Sequence, residues 1–186
     1  MKLLTKNRIF FDTEFYENGE TIELISIGLV RQRDLATLYR VNKDFNYDVM
    51  VKEATKRNRR ETIEFLDKNV FNNLGATTEN TKTKFEIRDE IAEFVGNKPD
   101  FWASCSAYDW VLICQLFGVM LELPKSWPHF CNDIAMLKNA VGKKEIDLTP
   151  MNRFRLKGKE HNALYDACET YCKYLTYKKY FPGINL

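Results

Sequence analysis

Apolar residues near the start of the chain fall in short runs separated by turn signals. Residues 8–15 carry Ile9, Phe10 and Phe11 in succession and predict a strand. Glu17-Asn18-Gly19-Glu20 follows as a turn, because Asn-Gly readily takes φ > 0. Residues 21–31 predict a long second strand rich in β-branched side chains, and residues 36–41 a third, the three forming an antiparallel meander. Residues 48–74 join a basic stretch to the apolar pattern Ile63, Phe65, Leu66, Val70, Phe71, which suits one or two short helices. Asn72 to Lys84 is polar and reads as a surface loop. Thr83-Lys84-Phe85-Glu86 has the form of a capping box, and Ile87, Ile91, Phe94 and Val95 continue at helical spacing up to the stop signal Gly96. Residues 100–105 predict a fourth strand, and Ala107 to Phe117 a helix ending near Gly118. Pro124 and Pro128 interrupt the chain before a short element at 131–141 and a basic loop at 142–160. The last helix is expected from about Asn162 to about Tyr180, before Pro182-Gly183. Strands first, then alternating helix and strand, place the chain in the α/β or α+β class with a mixed sheet.

Composition narrows the class of function. With 186 residues, 45% hydrophobic and 29% charged, the chain has the balance of a soluble globular protein and fits one domain, residues 1–186. No apolar stretch approaches the roughly 18 residues needed to span a bilayer. The segment Met1 to Arg8 lacks the apolar centre of a signal peptide, so a cytoplasmic location is expected, in a bacterium or in a host cell if phage-encoded. A net charge of +2 permits a nucleic-acid ligand without demanding one. Cys105, Cys114, Cys131, Cys168 and Cys172 are odd in number and form no Cys-x-x-Cys pair, so they are expected as reduced thiols. His129, beside Pro128, is assigned no role.

Two carboxylates at the end of the first apolar run change the picture. Residues i and i+2 of a strand share a face, so Asp12 and Glu14 aim at one point. Bringing like charges together costs free energy unless a cation lies between them. Asp109 falls at the start of the helix after the fourth strand, and His161 and Asp166 straddle the start of the last helix. Four carboxylates and one imidazole fit two hard divalent cations, Mg²⁺ or Mn²⁺, held by oxygen ligands with a base nearby. Phosphodiester hydrolysis is the matching chemistry. One ion would activate a water and the other would steady the leaving 3′ oxygen, roughly 3.5–4 Å away. His161 would take the proton.

The same five residues resemble the set that defines the DEDDh 3′–5′ exonucleases, the superfamily of ribonuclease T, oligoribonuclease and polymerase proofreading subunits. Phe10-Phe11-Asp12-Thr13-Glu14-Phe15, Thr21 to Gly28, Ser106-Ala107-Tyr108-Asp109, Cys114 to Gly118 and His161-Asn162-Ala163-Leu164 before Asp166 are similar to ribonuclease AS, a polyadenylate-preferring exoribonuclease family of bacteria with related phage proteins. The resemblance implies an RNase H-like fold, with a central mixed five-stranded sheet, its first three strands antiparallel, flanked by helices. It implies that Asp12, Glu14 and Asp166 hold one Mg²⁺, that Asp12, with Asp109 through water, holds the second, and that His161 is the general base. It also implies a homodimer. Cys105 stands where many DEDDh enzymes have Asn, Ser106 where ribonuclease AS has Gly, and Trp110 where another residue type is common. Residues 42–100 carry little of the likeness, and the basic 142–160 loop is this chain's own.

The expected substrate is the 3′ end of single-stranded RNA, held by aromatic stacking and a basic track. Phe15 and Thr13 flank Glu14 and are candidate contacts, Phe15 through stacking on the terminal base or else as a core residue on the far side. Arg153 and Arg155, with Lys157 and Lys159, would meet phosphates if the loop before His161 folds over the site. Trp102, Tyr108 and Trp110 surround Asp109 and are mostly expected in the core. Two other functions fit less closely. One is a single-stranded DNA 3′–5′ exonuclease with the same mechanism. The other is a non-catalytic nucleic-acid-binding module, which the presence of all five site residues disfavours.

Overall fold

The computed structural model describes residues 6–156 and 159–182. The three opening runs form β1 (Asn7–Glu17), β2 (Ile22–Arg31) and β3 (Ala36–Asn42), paired antiparallel in succession. The β1–β2 turn is closed by Asn18, whose Oδ1 accepts from the Glu20 and Thr21 N–H groups at 2.9 and 2.8 Å, while Gly19 takes φ +89°. After β3 come α1 (Tyr47–Lys56) and α2 (Arg60–Phe65), then a π-helical turn at Leu66–Val70 and a 3₁₀ turn at Phe71–Asn73. The strand β4 (Thr81–Lys82) leads to α3 (Lys84–Val95), which begins on the expected Thr83/Glu86 capping box and ends at Gly96. Then follow β5 (Pro99–Ala103), α4 (Ala107–Leu116), β6 (Asn132–Asp133), α5 (Ile134–Val141) and α6 (Ala163–Lys178).

The sheet has six strands in the order β4-β3-β2-β1-β5-β6, not the five expected. The strands β4 and β6 are two residues each, too short to show alternation, and both pair in parallel with an edge that sequence pattern does not reveal. Helices cover both sides. Ile9, Phe11, Ile27 and Leu29 pack with Ile87 and Ile91 of α3 and Leu112 and Ile113 of α4. On the other side Phe10, Val30 and Trp102 pack with Ile134 and Leu137 of α5 and Ala167, Cys168, Tyr171 and Tyr174 of α6. β1 is therefore buried on both faces, which explains its unbroken Ile-Phe-Phe run. A third cluster gathers Met50, Ala54, Leu66 and Val70 against Tyr16 and Ile25, docking the segment after β3 onto the sheet. No helix among the described residues is long and apolar enough to cross a membrane.

One glycine sets how closely α6 approaches. Gly28 lies directly across from Asp12 on β2. A Cβ built there would stand 2.3–2.4 Å from the backbone of Ala163 and Leu164, the first turn of α6. Real side chains do not tolerate such contacts, so the helix start rests on β2 only because residue 28 has no side chain. Gly28→Ala is expected to displace this helix start, at a cost of about 1–3 kcal/mol, read as a lower urea midpoint with unchanged slope. An unchanged midpoint would contradict the close contact.

Candidate functional site

Strand parity places Asp12 and Glu14 on the face of β1 that Phe10 presents to α6. The ladder keeps register from Ile9 to Glu14 and shifts before Phe15: Glu14 pairs with Ser26 and Phe15 with Leu24, leaving Ile25 as an extra residue on β2. Such bulges re-aim side chains at strand ends, and this one falls at the residue after the second carboxylate.

The first turn of α6 supplies the opposing groups. Asn162 caps the helix, its Oδ1 accepting from the Tyr165 N–H at 3.2 Å. Asp166 lies one turn in, and its Oδ2 accepts the His161 backbone N–H at 2.9 Å. His161 itself takes φ +65°, an unfavourable region for a residue with a Cβ, held in place by that bond. As a result one ligand atom from each of Glu14, His161 and Asp166 lies within 4.8 Å of the others.

Asp109 comes from the first turn of α4 and is buried. Its Oδ1 accepts from Thr13 twice, from the backbone N–H at 3.0 Å and from Oγ1 at 2.5 Å. Thr13 is the residue between Asp12 and Glu14, so the same strand segment that carries two carboxylates tethers the third. Asp12 does not join the three-residue ligand group, yet it lies close enough for Asp109, Asp166 and Glu14 all to repel its charge.

Electrostatics records the crowding. Burial first, then repulsion by Asp109, Asp166 and Glu14, raises the Asp12 carboxyl well above its ordinary range, with Lys173 opposing. Burial, then Asp166 and Asp109, pushes Glu14 up to about 8. Burial lifts Asp109 to about 6 against the lowering effect of the Thr13 hydrogen bonds. Burial also lifts Asp166 to about 6, against the His161 N–H. These buried and half-buried carboxylates form a hard oxygen donor set, of the kind Mg²⁺ or Mn²⁺ takes.

The substrate candidates are placed differently. Thr13 is buried and engaged with Asp109. Phe15 packs on Tyr108 of α4 at 5.4 Å and joins the core on that side. Arg153 ends the 3₁₀ turn Thr149–Arg153 and is exposed, as is Arg155; among the described residues neither bonds to the acidic cluster. Lys157 lies outside the described residues. Trp102 and Trp110 belong to the two cores and Tyr108 is half-exposed.

The structure also supplies what sequence pattern missed. Phe65 of α2, 49% exposed, packs edge-on against the His161 ring at 5.3 Å. Ile63, Leu66 and Val70 keep 3–4 spacing and Phe65 breaks it, the one signal that this ring leaves the core. Next to it, Asn162 Nδ2 donates to the Asn73 carbonyl at 2.9 Å, and the Tyr39 hydroxyl donates to the Leu74 carbonyl at 2.6 Å. Asn73 Nδ2 donates to the Glu160 carbonyl at 3.3 Å. The segment after α2 is thus bonded to the loop that presents His161.

Residues 7–177 match the family described as the 3′–5′ exoribonuclease Rv2179c-like domain. Two relatives from Mycobacterium tuberculosis, 3′–5′ exoribonuclease MT2234.1 of strain CDC 1551 / Oshkosh and 3′–5′ exoribonuclease Rv2179c of strain ATCC 25618 / H37Rv, are each 31% identical over 164 residues, 86% of this chain and 86% of theirs.

A pH prediction follows from the raised carboxyls. Each holds its proton more tightly folded than unfolded, so the metal-free fold gains from protonation. That contribution is complete below about pH 4 and is lost as pH rises through about 6 at Asp109 and Asp166 and about 8 at Glu14. Melting curves in chelator should therefore show Glu14→Gln gaining on wild type as pH rises from 6 to 9, and added Mn²⁺ should stabilise wild type most at the alkaline end. Parallel curves for the two proteins would contradict the crowding.

Proposed function

Since the chain belongs to the Rv2179c-like 3′–5′ exoribonuclease family, we propose that it shortens single-stranded RNA from the 3′ end and releases nucleoside 5′-monophosphates. The observation that carries this reading is the convergence of Glu14 from β1, Asp166 from α6 and His161 from the loop just before α6, with Asp12 and Asp109 within electrostatic reach. The chemistry is of the DEDDh type, on an RNase H-like fold, in the manner of ribonuclease AS.

Asp12, Glu14 and Asp166 would hold one divalent cation, and Asp12 with Asp109 a second. When bound, such cations lower the pKa of water and offset charge on a leaving oxygen. His161 takes the proton of the attacking water, its ring braced by Phe65 and its backbone by Asp166. Thr13 serves by fixing Asp109 rather than by meeting RNA. Phe65, half-exposed beside His161, is better placed than Phe15 to stack on a terminal base.

Asp12→Asn is expected to abolish Mg²⁺-dependent release of mononucleotides from a 3′-hydroxyl RNA while leaving the circular dichroism spectrum unchanged; a fully active variant would end the reading. His161→Ala should lower kcat by roughly 10²–10⁴-fold. Phe65→Ala should raise KM by about 5- to 150-fold, the equivalent of one lost base stack. Matched RNA and DNA oligomers, digested side by side, decide the sugar preference: faster loss of the DNA would replace the RNA reading with its DNA counterpart.

A further inference from the structure

A fifth carboxylate stands behind the site and takes no direct part in it. Asp133 ends β6, pairs with Ala103 at the end of β5, and is the N-cap of α5. Its Oδ1 accepts from the Ala135 N–H at 2.8 Å and from the Cys105 N–H at 3.0 Å. Its Oδ2 accepts from the Ser106 N–H at 3.0 Å and from Ser106 Oγ at 3.4 Å. One side chain thereby joins the start of α5 to the turn between β5 and α4, the turn that leads into Asp109.

That turn needs an anchor. Cys105 takes φ +61°, a region that disfavours any residue with a Cβ. Ser106, the N-cap of α4, makes no side-chain capping bond of its own. Left alone, the two N–H groups of residues 105 and 106 would face solvent and the chain would relax from the left-handed conformation. With both N–H groups bound to one carboxylate, Ser106 is fixed, its carbonyl accepts the Trp110 N–H at 2.9 Å, and the helix starts with Asp109 facing Thr13.

We propose that Asp133 is a positioning residue for Asp109: by clamping the left-handed Cys105–Ser106 turn it fixes where α4 begins, and so sets the carboxylate that the second cation needs. The proposal rests on the two-cation exonuclease reading. Asp109 is then held from two sides, through its own oxygen by Thr13 and through its backbone by Asp133. A partner that orients a metal ligand typically matters by 10–100-fold in metal affinity or activity.

The test separates this clamp from the capping of α5. Asp133→Ser keeps a good N-cap for α5 and loses the oxygen that accepts from Ser106, leaving Cys105 to share the one oxygen that caps the helix. The variant is expected to show faster amide exchange at Ser106. The weaker of two Mn²⁺ sites in calorimetry should weaken by about 10–100-fold, with the Mg²⁺ needed for half-maximal kcat rising likewise, and with KM for RNA unmoved. Adding Cys105→Gly, which takes positive φ without strain, should recover part of the loss. Thr83→Ala, which removes the cap of α3, controls for plain destabilisation and should leave the Mn²⁺ isotherm as it was. If Asp133→Ser itself fails to fold, Cys105→Gly with Asp133→Asn carries the same comparison of isotherms. A wild-type isotherm reproduced by the clamp variants would overturn the role of Asp133 alone. An isotherm without Mn²⁺ binding in wild type would overturn the two-cation reading, and this role with it.

Discussion

Burial of several carboxylates in one place governs the centre of this molecule. Asp12 and Glu14 from β1, Asp109 from α4 and Asp166 from α6 are drawn from three elements into one space, where burial first and then Asp109 and Asp166 raise the proton affinity of both Asp12 and Glu14. A fold built for stability alone would place apolar residues there, as it does at Ile9, Phe10 and Phe11 just before. Lys173 relieves Asp12 and Asp166 in part, but it also pairs with Glu169 at 2.6 Å on its own helix. In the two-cation reading proposed above, the charge that remains is what would draw hard cations to the site.

Much of the surrounding structure can be understood as the means of holding those groups against their repulsion. The absence of a side chain at Gly28 lets α6 settle on β2, opposite the residue that carries Asp12. The Asn162 cap starts α6 one turn before Asp166, and Asp166 accepts the His161 backbone N–H. Thr13 and Asp133 grip the α4 start from its carboxylate side and its backbone side. Each device is local, a missing Cβ or a few hydrogen bonds, and each acts at the first turn of a helix, where backbone N–H groups are free to donate to such partners.

The sequence made the strands and the acidic set legible for different reasons. Unbroken or alternating apolar runs fixed β1, β2 and β3, and the Thr83/Glu86 spacing fixed the start of α3. Asp12 and Glu14 stood out because charges in an apolar strand have no packing use. The strands β4 and β6 escaped notice, since two residues carry no period. Thr13 and Phe15 looked like substrate contacts from their position beside Glu14. Parity turns Thr13 toward Asp109, and the bulge after Glu14 leaves Phe15 against Tyr108. Phe65 was visible only as a residue out of step with its helix, because contact with His161, distant along the chain, depends on how the segment after β3 docks.

Electron paramagnetic resonance of the protein loaded with Mn²⁺ reaches the centre of this picture most directly. Two ions caged by the converging carboxylates, roughly 3.5–4 Å apart, would give the exchange-coupled spectrum of a dinuclear pair once two equivalents are added, and Asp109→Asn would reduce it to the six-line spectrum of one isolated ion. A wild-type spectrum that shows only isolated ions, however much Mn²⁺ is supplied, would contradict it.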